Sequence, residues 1–269
     1  NAADAQGVIG VSPYPDPDVK WIIQSEQANG ATTFYDGSGA GHTVTRSGTA
    51  FTHSTLQAKF GSSSLRSAAA CGGCSFLQSD VHADFDSESG AWTIEAQARF
   101  TTCVEADSAA ITLAGEFDSL SPLLGRGGGG GGANECHARV RTDDGTPTYI
   151  IDVNLGVTLN TWHHIALVSD GTSLYTFRDG TLLNTTAIAP EGIQQTANRI
   201  TIGTEGNGTF NGFLEDVIWT KRAKWTSAFT APTRTFQSNL STADSSGVMT
   251  AADKAKIDGI ASGADDVNA

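Results

Sequence analysis

Cysteines Cys71 and Cys74, in "CGGC", have the spacing of half a tetrahedral zinc site, which Cys103 and Cys136 could complete with two more thiolates. The same pair could close a local disulfide or stay as idle thiols. No strand–helix–strand pattern surrounds it to suggest a redox motif. In "ADFDSES", Asp84, Asp86 and Glu88 could gather oxygen ligands around calcium, which as a hard cation takes carboxylates. The competing reading is a solvated acidic turn. Cutting a glycan needs two carboxylates converging on one bond. Glu95 stands among Thr93, Gln97 and Arg99, and Glu215 and Asp216 are sequence neighbours on a strand, so they point to opposite faces. His163 and His164 are adjacent in the same way, one facing inward and one outward, and do not form a ligand pair. No catalytic residue is assigned, and no cofactor-binding motif is found. The six glycines at 127–132 lack the Lys-Ser/Thr ending of a phosphate-cradling loop and read as a flexible surface connection.

The elements that must carry these residues are strands. In "AWTIEAQARF", Trp92, Ile94, Ala96, Ala98 and Phe100 alternate with Thr93, Glu95, Gln97 and Arg99, which predicts one dry and one wet face. "TPTYIIDVNL" places Tyr149, Ile151, Val153 and Leu155 on one side. "TWHHIALVSDGTSLYTFRDGTLLNTT" reads as three strands separated by Asp170-Gly171 and Asp179-Gly180, the dipeptides that accept positive φ in tight hairpins. Asp144-Gly145 marks an earlier turn. In "FNGFLEDVIWT", Phe213, Val217 and Trp219 are expected on one face, Leu214 and Ile218 on the other. Trp92 and Trp162 are expected to fill the interior, Phe60 and Leu65 to flank a Gly-Ser turn, and Trp225 and Phe229 to fold the closing segment over an edge. Strands this short and numerous must close as two packed sheets or a barrel.

The chain has 269 residues and a formal net charge of −13, with no cluster of lysine or arginine. Nucleic acid and anionic membrane both need such a cluster, so neither is an expected partner. No apolar run approaches the roughly 18 residues of a membrane-spanning helix. The four cysteines do not make a disulfide framework in a chain of this size. Residues 1–18 contain three prolines and many small side chains and read as an extended arm. Asn1 suggests a processed or cut N-terminus. Asn184 and Asn207 sit in glycosylation-type triplets, relevant only in a eukaryotic secretory setting.

The stretches "KFGSSSLRS", "WTIEAQARF", "TWHHIALVSDGTSLYTFRDGTLL", "ITIG" and "FNGFLEDVIWTKRAKWTSAFTAPT" occur in the order of laminin-G-like, concanavalin A-like lectin modules. "GATTFYDGSGAGHTVTRSGTAFT" is similar to the version found in bacteriophage and bacterial surface proteins. The resemblance covers residues 19–237 and implies an all-β jelly-roll sandwich of two curved antiparallel sheets. A glucanase of this class carries a Glu-x-Asp-x-x-Glu strand, which is absent here. Related modules often hold calcium at loop aspartates, which adds Asp36, Asp144 and Asp170 to the calcium candidates. In residues 238–269, "TAADKAKIDGIASGA" has Thr250 as helix cap, Asp253 in the first turn and Gly259 as stop. This short helix resembles elements repeated in phage tail fibres, where it would link or trimerise modules. The resemblances imply a non-enzymatic virion fibre or spike module. Its expected partners are other virion subunits, its own copies as a trimer, and host-surface glycans. A secreted bacterial adhesin or carbohydrate-binding module is the alternative, and a glycan hydrolase comes third.

Overall fold

The computed structural model describes residues 16–68, 75–103, 111–112, 122–127, 135–141, 149–195, 197–203 and 210–233. The chain divides into a unit ending at Thr233 and a remainder beginning at Arg234. That remainder, with the expected tail helix, lies outside the described residues, as do most of the N-terminal arm, Cys71, Cys74, Asp144 and glycines 128–132.

The strands are β1 (Val19–Ile23), β2 (Val44–Ser47), β3 (Phe51–Ser54), β4 (Ser64–Ser67), β5 (Phe76–Ser79), β6 (Ala91–Phe100), β7 (Ile111–Thr112), β8 (Leu123–Gly127), β9 (Cys136–Arg141), β10 (Tyr149–Asn154), β11 (Trp162–Asp170), β12 (Ser173–Arg178), β13 (Thr181–Ala187), β14 (Thr201–Ile202) and β15 (Gly212–Thr220). Among the described residues the one helical element is a single 3-10 turn, Ala83–Phe85. One sheet runs β13-β12-β11-β6-β15-β4-β3, with β1 pairing the C-terminal half of β15. The other runs β10-β9-β8-β7-β14-β5-β2. Pairings within both are antiparallel. The chain is therefore all-β, a jelly-roll sandwich, as the strand pattern implies.

The core lies between the sheets. Trp21, Trp92, Trp219 and Phe51 from one layer meet Leu77, Ile202 and Val140 from the other. Trp92 stacks on Trp219 with ring centroids 5.4 Å apart, and its indole N–H donates to the Ser87 carbonyl oxygen at 3.0 Å. Trp162 differs from expectation: it begins β11 on the opposite side of the strand from Ile165 and is only half-buried. The Asp-Gly hairpins form as read. Asp179 (φ 50°) and Gly180 (φ 76°) are both left-handed, the backbone that joins two twisted strands in two residues. A Cβ at Gly180 would collide with the Phe229 carbonyl oxygen, so this glycine also admits the closing segment.

Three face assignments change. Thr93, Glu95 and Gln97, expected to be wet, are 0%, 2% and 2% exposed. The chain after β15 crosses this face: Thr93 Oγ1 donates to the Arg222 carbonyl oxygen at 2.8 Å and accepts from Lys224 N–H at 3.0 Å. Trp225 and Phe229, parallel and 3.8 Å apart, lie on His164 and Phe177. The closing segment thus covers the outer face of the sheet rather than its edge. In β15 a bulge lies between Glu215 and Ile218, with Asp216 at φ 46°. One extra residue flips the alternation, so Leu214, Val217 and Trp219 enter the core while Phe213 and Ile218 do not. A register shift after Tyr149 likewise puts its ring opposite Arg141, on the other face from Ile151.

Cys103 and Cys136 form a disulfide across 33 positions and are both buried in the core. It ties the end of β6 to the start of β9 and closes the long excursion that carries β7, β8 and the glycine run. Closing a loop of that length restricts the unfolded chain by roughly 3–4 kcal/mol. A Cys103→Ser/Cys136→Ser variant is expected to lose stability on that order in urea unfolding. Reductant should lower the wild-type midpoint and leave the variant's unchanged.

Candidate functional site

The carboxylates that hydrolysis would use are occupied by the fold. Glu95 lies beneath the closing segment, where its Oε2 meets His164 Nε2 at 3.0 Å and its Oε1 pairs with the Lys224 ammonium. Burial pushes the Glu95 carboxyl upward, but the Lys224 charge and the His164 hydrogen bond outweigh it, and the net shift is downward. Glu215 accepts the Lys59 and Phe60 backbone N–H groups at 2.6 and 2.9 Å. Burial raises it to about 7 against those two bonds, with Asp216 and Glu26 adding to the rise. Asp216, turned aside by the bulge, accepts from Gln24 Nε2 at 2.6 Å. Each of the three acids is thus held by protein donors or cations: Lys224 and His164 at Glu95, the Lys59 and Phe60 backbone at Glu215, and Gln24 at Asp216.

The loop aspartates resolve in the same way. The Asp36 carboxylate accepts from Ile22 N, Ser38 N, Ser38 Oγ and His42 N, all within 3.0 Å, and shapes the loop leaving β1. Asp170 accepts from Thr172 N, Thr172 Oγ1, Ser173 N and Tyr175 OH. These bonds outweigh its burial and hold it near 2, in the turn between β11 and β12. Asp86 caps its own turn through Glu88 N and Ser89. Each of these carboxylates accepts from protein donors, the arrangement of a structured acidic turn. Asp84 is different. It faces two imidazoles, His42 and His82. Of the four thiols in the zinc reading, Cys103 and Cys136 are removed by their disulfide. His163 Nδ1 lies 2.6 Å from Asp179 Oδ2 and braces a hairpin, while His164 serves Glu95 on the opposite side of β11.

The outer face of the second sheet carries a group that strand periodicity alone did not single out. Cys136, Ala138 and Val140 point into the core, so His137, Arg139 and Arg141 point outward. Asp152 Oδ1 receives Arg139 Nε at 2.9 Å and His137 Nδ1 at 2.6 Å. The half-buried Tyr149 ring stands over two guanidiniums, 5.5 Å from Arg139 and 5.2 Å from Arg141. Arg139 is 3% exposed, and its Nη2 has no hydrogen-bond partner among the described residues. The arrangement sets the half-buried Tyr149 ring, the Arg141 guanidinium and the exposed Asp152 side by side, with Arg139 buried among them. The signal was in principle present: Arg139 and Arg141 are two apart and Tyr149 follows a turn. The shift that brings Tyr149 to this face was not readable.

An antiparallel jelly-roll with this strand order is the frame of lectin-type sandwiches. Residues 72–227 match the family model of the concanavalin A-like lectin/glucanases superfamily, more than half the chain, and the chain belongs to that superfamily. Compared by sequence with curated proteins, it matches none. Among solved structures it is similar to domain 4 of AbnA, a GH43 extracellular arabinanase from Geobacillus stearothermophilus, in complex with arabinotriose. That match has 13% identity and a TM-score of 0.55, covering 77% of this chain and 93% of the other. It is similar to the binding domain of Paraclostridial Mosquitocidal Protein 1 (16% identity, TM-score 0.52). It is also similar to the binding domain of Botulinum Neurotoxin DC in complex with SialylT (11% identity, TM-score 0.54). In both cases the match covers 77% of this chain and about half of the other, 49% and 48%. At these identities the likeness establishes the fold.

Two outcomes follow from the buried acids. Lys224→Met strands a charge on Glu95 and is expected to cost roughly 3 kcal/mol, with Glu95→Gln in the same chain restoring most of it. Urea unfolding of the single and double variants measures this. Glu215 has its carboxyl raised from 4.5 to about 7. Its stabilising contribution is therefore full below pH 4.5 and is lost as pH climbs toward 7, because the unfolded carboxyl ionises first. Glu215→Gln should flatten that part of the stability–pH curve, read as urea midpoints from pH 4 to 8.

Proposed function

We propose that this chain is a non-hydrolytic glycan-binding module, displayed in several copies on a phage fibre or spike. The observation that carries the reading is the Tyr149–Arg139–Arg141–Asp152 group. A sugar presents an apolar ring face and directional hydroxyls, and a site suits it when an aromatic lies beside donors and acceptors already held in place. Arg139 is held by Asp152 rather than free to wander, which lowers the ordering cost of binding. The similarity to domain 4 of AbnA in complex with arabinotriose, and to a toxin binding domain in complex with SialylT, supports a carbohydrate ligand. The engagement of Glu95 and Glu215 by protein donors supports binding without cleavage. Weak single sites gain strength when copies are linked, which is the use a trimeric fibre would make of them. The tail beyond Leu240 would hold those copies together, next to other virion subunits.

A secreted bacterial adhesin is the second reading, and the Cys103–Cys136 bond favours it. An exported chain folds where disulfides form, whereas a fibre subunit folds in a reducing cytosol before release.

A glycan array probed with the full chain, the chain ended at Leu240, and the Tyr149→Ala and Arg141→Ala variants tests the proposal. The full chain is expected to bind as an oligomer, with each point variant weakening binding at least tenfold at unchanged melting temperature. The shortened chain should be a monomer with lower apparent affinity. No binding at high valency would remove the lectin role. Equal mass for long and short chains would remove the fibre role of the tail.

A further inference from the structure

His42, His82 and Asp84 come from two separate loops, yet one ligand atom of each lies within 4.8 Å of the others. His42 Nε2 is 3.1 Å and His82 Nδ1 is 3.3 Å from the same oxygen, Asp84 Oδ2. A tetrahedral zinc ion with bonds of about 2.0–2.1 Å separates its ligand atoms by roughly 3.3 Å along each edge. The two edges that meet at Asp84 match a small ion of that class, and the third, between the imidazoles, is at most 4.8 Å. Calcium, with longer bonds and a demand for oxygens, does not suit two imidazoles.

The surroundings hold these groups in place. His42 is 9% exposed, its ring lies 4.5 Å from that of Phe85, and its backbone N–H is tied to Asp36 Oδ2 at 3.0 Å. Its other ring nitrogen, Nδ1, is 3.1 Å from Asp80 Oδ1. Carboxylates thus face both nitrogens of the ring, and the Asp80 contact fixes its orientation, as second-layer groups do for histidine ligands on metals. Asp84 sits in the 3-10 turn, whose carbonyl oxygen at Asp84 accepts from Trp219 Nε1 at 2.7 Å, so the turn is pinned to the core. His82 Nδ1 accepts from Asp84 N–H at 3.1 Å and so presents a lone pair rather than a proton. One nitrogen of each imidazole thus lies against the same Asp84 oxygen, a set of three atoms that a single metal ion could share. Lys221, a cation just after β15, donates to the Asp86 carbonyl oxygen at 2.7 Å.

We propose that His42, His82 and Asp84 form a three-ligand site for a divalent transition metal of the zinc class, with Asp80 orienting His42 and a fourth position open to water. Binding exchanges the Asp84 N–H bond to His82 for a coordinate bond. The site links the loop between β1 and β2 to the turn after β5.

Isothermal titration of the full chain with zinc chloride, with calcium chloride alongside, is the test. One equivalent of zinc is expected to bind and raise the melting temperature, with no comparable response to calcium. His82, half exposed, can be changed without disturbing the core, so His82→Ala should lose the site. Asp80→Asn should weaken it 10- to 100-fold, and Cys71→Ser/Cys74→Ser should leave it intact. Absence of zinc binding, or zinc binding that survives His82→Ala and disappears in the cysteine variant, would overturn the assignment.

Discussion

The sheet that contains β6 must be dry on both sides, and the rest of the architecture answers to that requirement. Its inner face is apolar and packs on the second sheet. Its outer face holds Thr93, Glu95, Gln97 and His164, polar groups that water would normally serve. Residues 221–229 replace that water: the backbone pairs with Thr93, the Lys224 ammonium neutralises Glu95, and Trp225 and Phe229 roof His164 and Phe177. A buried carboxylate is costly unless paired, so the segment after β15 is not a loose exit but a layer of the fold. The turn at Asp179–Gly180 then has a second duty, because Phe229 N–H donates to the Gly180 carbonyl oxygen at 2.9 Å.

Local pattern reached as far as local physics does. Alternation found β6, and the Asp-Gly dipeptides marked the ends of β11, β12 and β13, because side-chain period and turn backbone are properties of neighbouring residues. What failed was anything decided by a partner far along the chain. Glu95 looked solitary because Lys224 lies 129 positions away. Strict alternation puts Phe213 and Val217 on one face, because nothing in "FNGFLEDVIWT" announces that Asp216 adopts φ 46° and adds a residue to the strand. The same kind of slip hid Tyr149. One extra residue is invisible in composition and reverses every side chain beyond it.

The acidic residues show why type and spacing overstate metal and catalytic chemistry. Asp36 and Asp86 sit in loops and Asp170 ends β11. Each accepts hydrogen bonds from the turn that follows it, as short acidic side chains commonly do. Asp84 escapes because the 3-10 turn spends its backbone on the core and leaves its carboxylate facing outward. His42 and His82 are 40 positions apart, with β2 through β5 between them in the chain. Neither is in a motif that sequence reading could have flagged.

Topology also separates the two places where this molecule has chemistry to offer. Tyr149 and its arginines lie on β9 and β10, one edge of the second sheet. Asp80 follows β5 and His42 precedes β2, at the other edge. About five strand spacings of roughly 4.8 Å, some 24 Å measured along the sheet, separate the β9–β10 pair from the β5–β2 pair. A metal ion held by His42 and Asp84 is therefore too distant to touch a sugar resting on Tyr149. It would act on the shape of the loop between β1 and β2, and the two sites would succeed or fail independently. A ligand bridging both would have to span the whole sheet, as a polysaccharide chain can and a monosaccharide cannot.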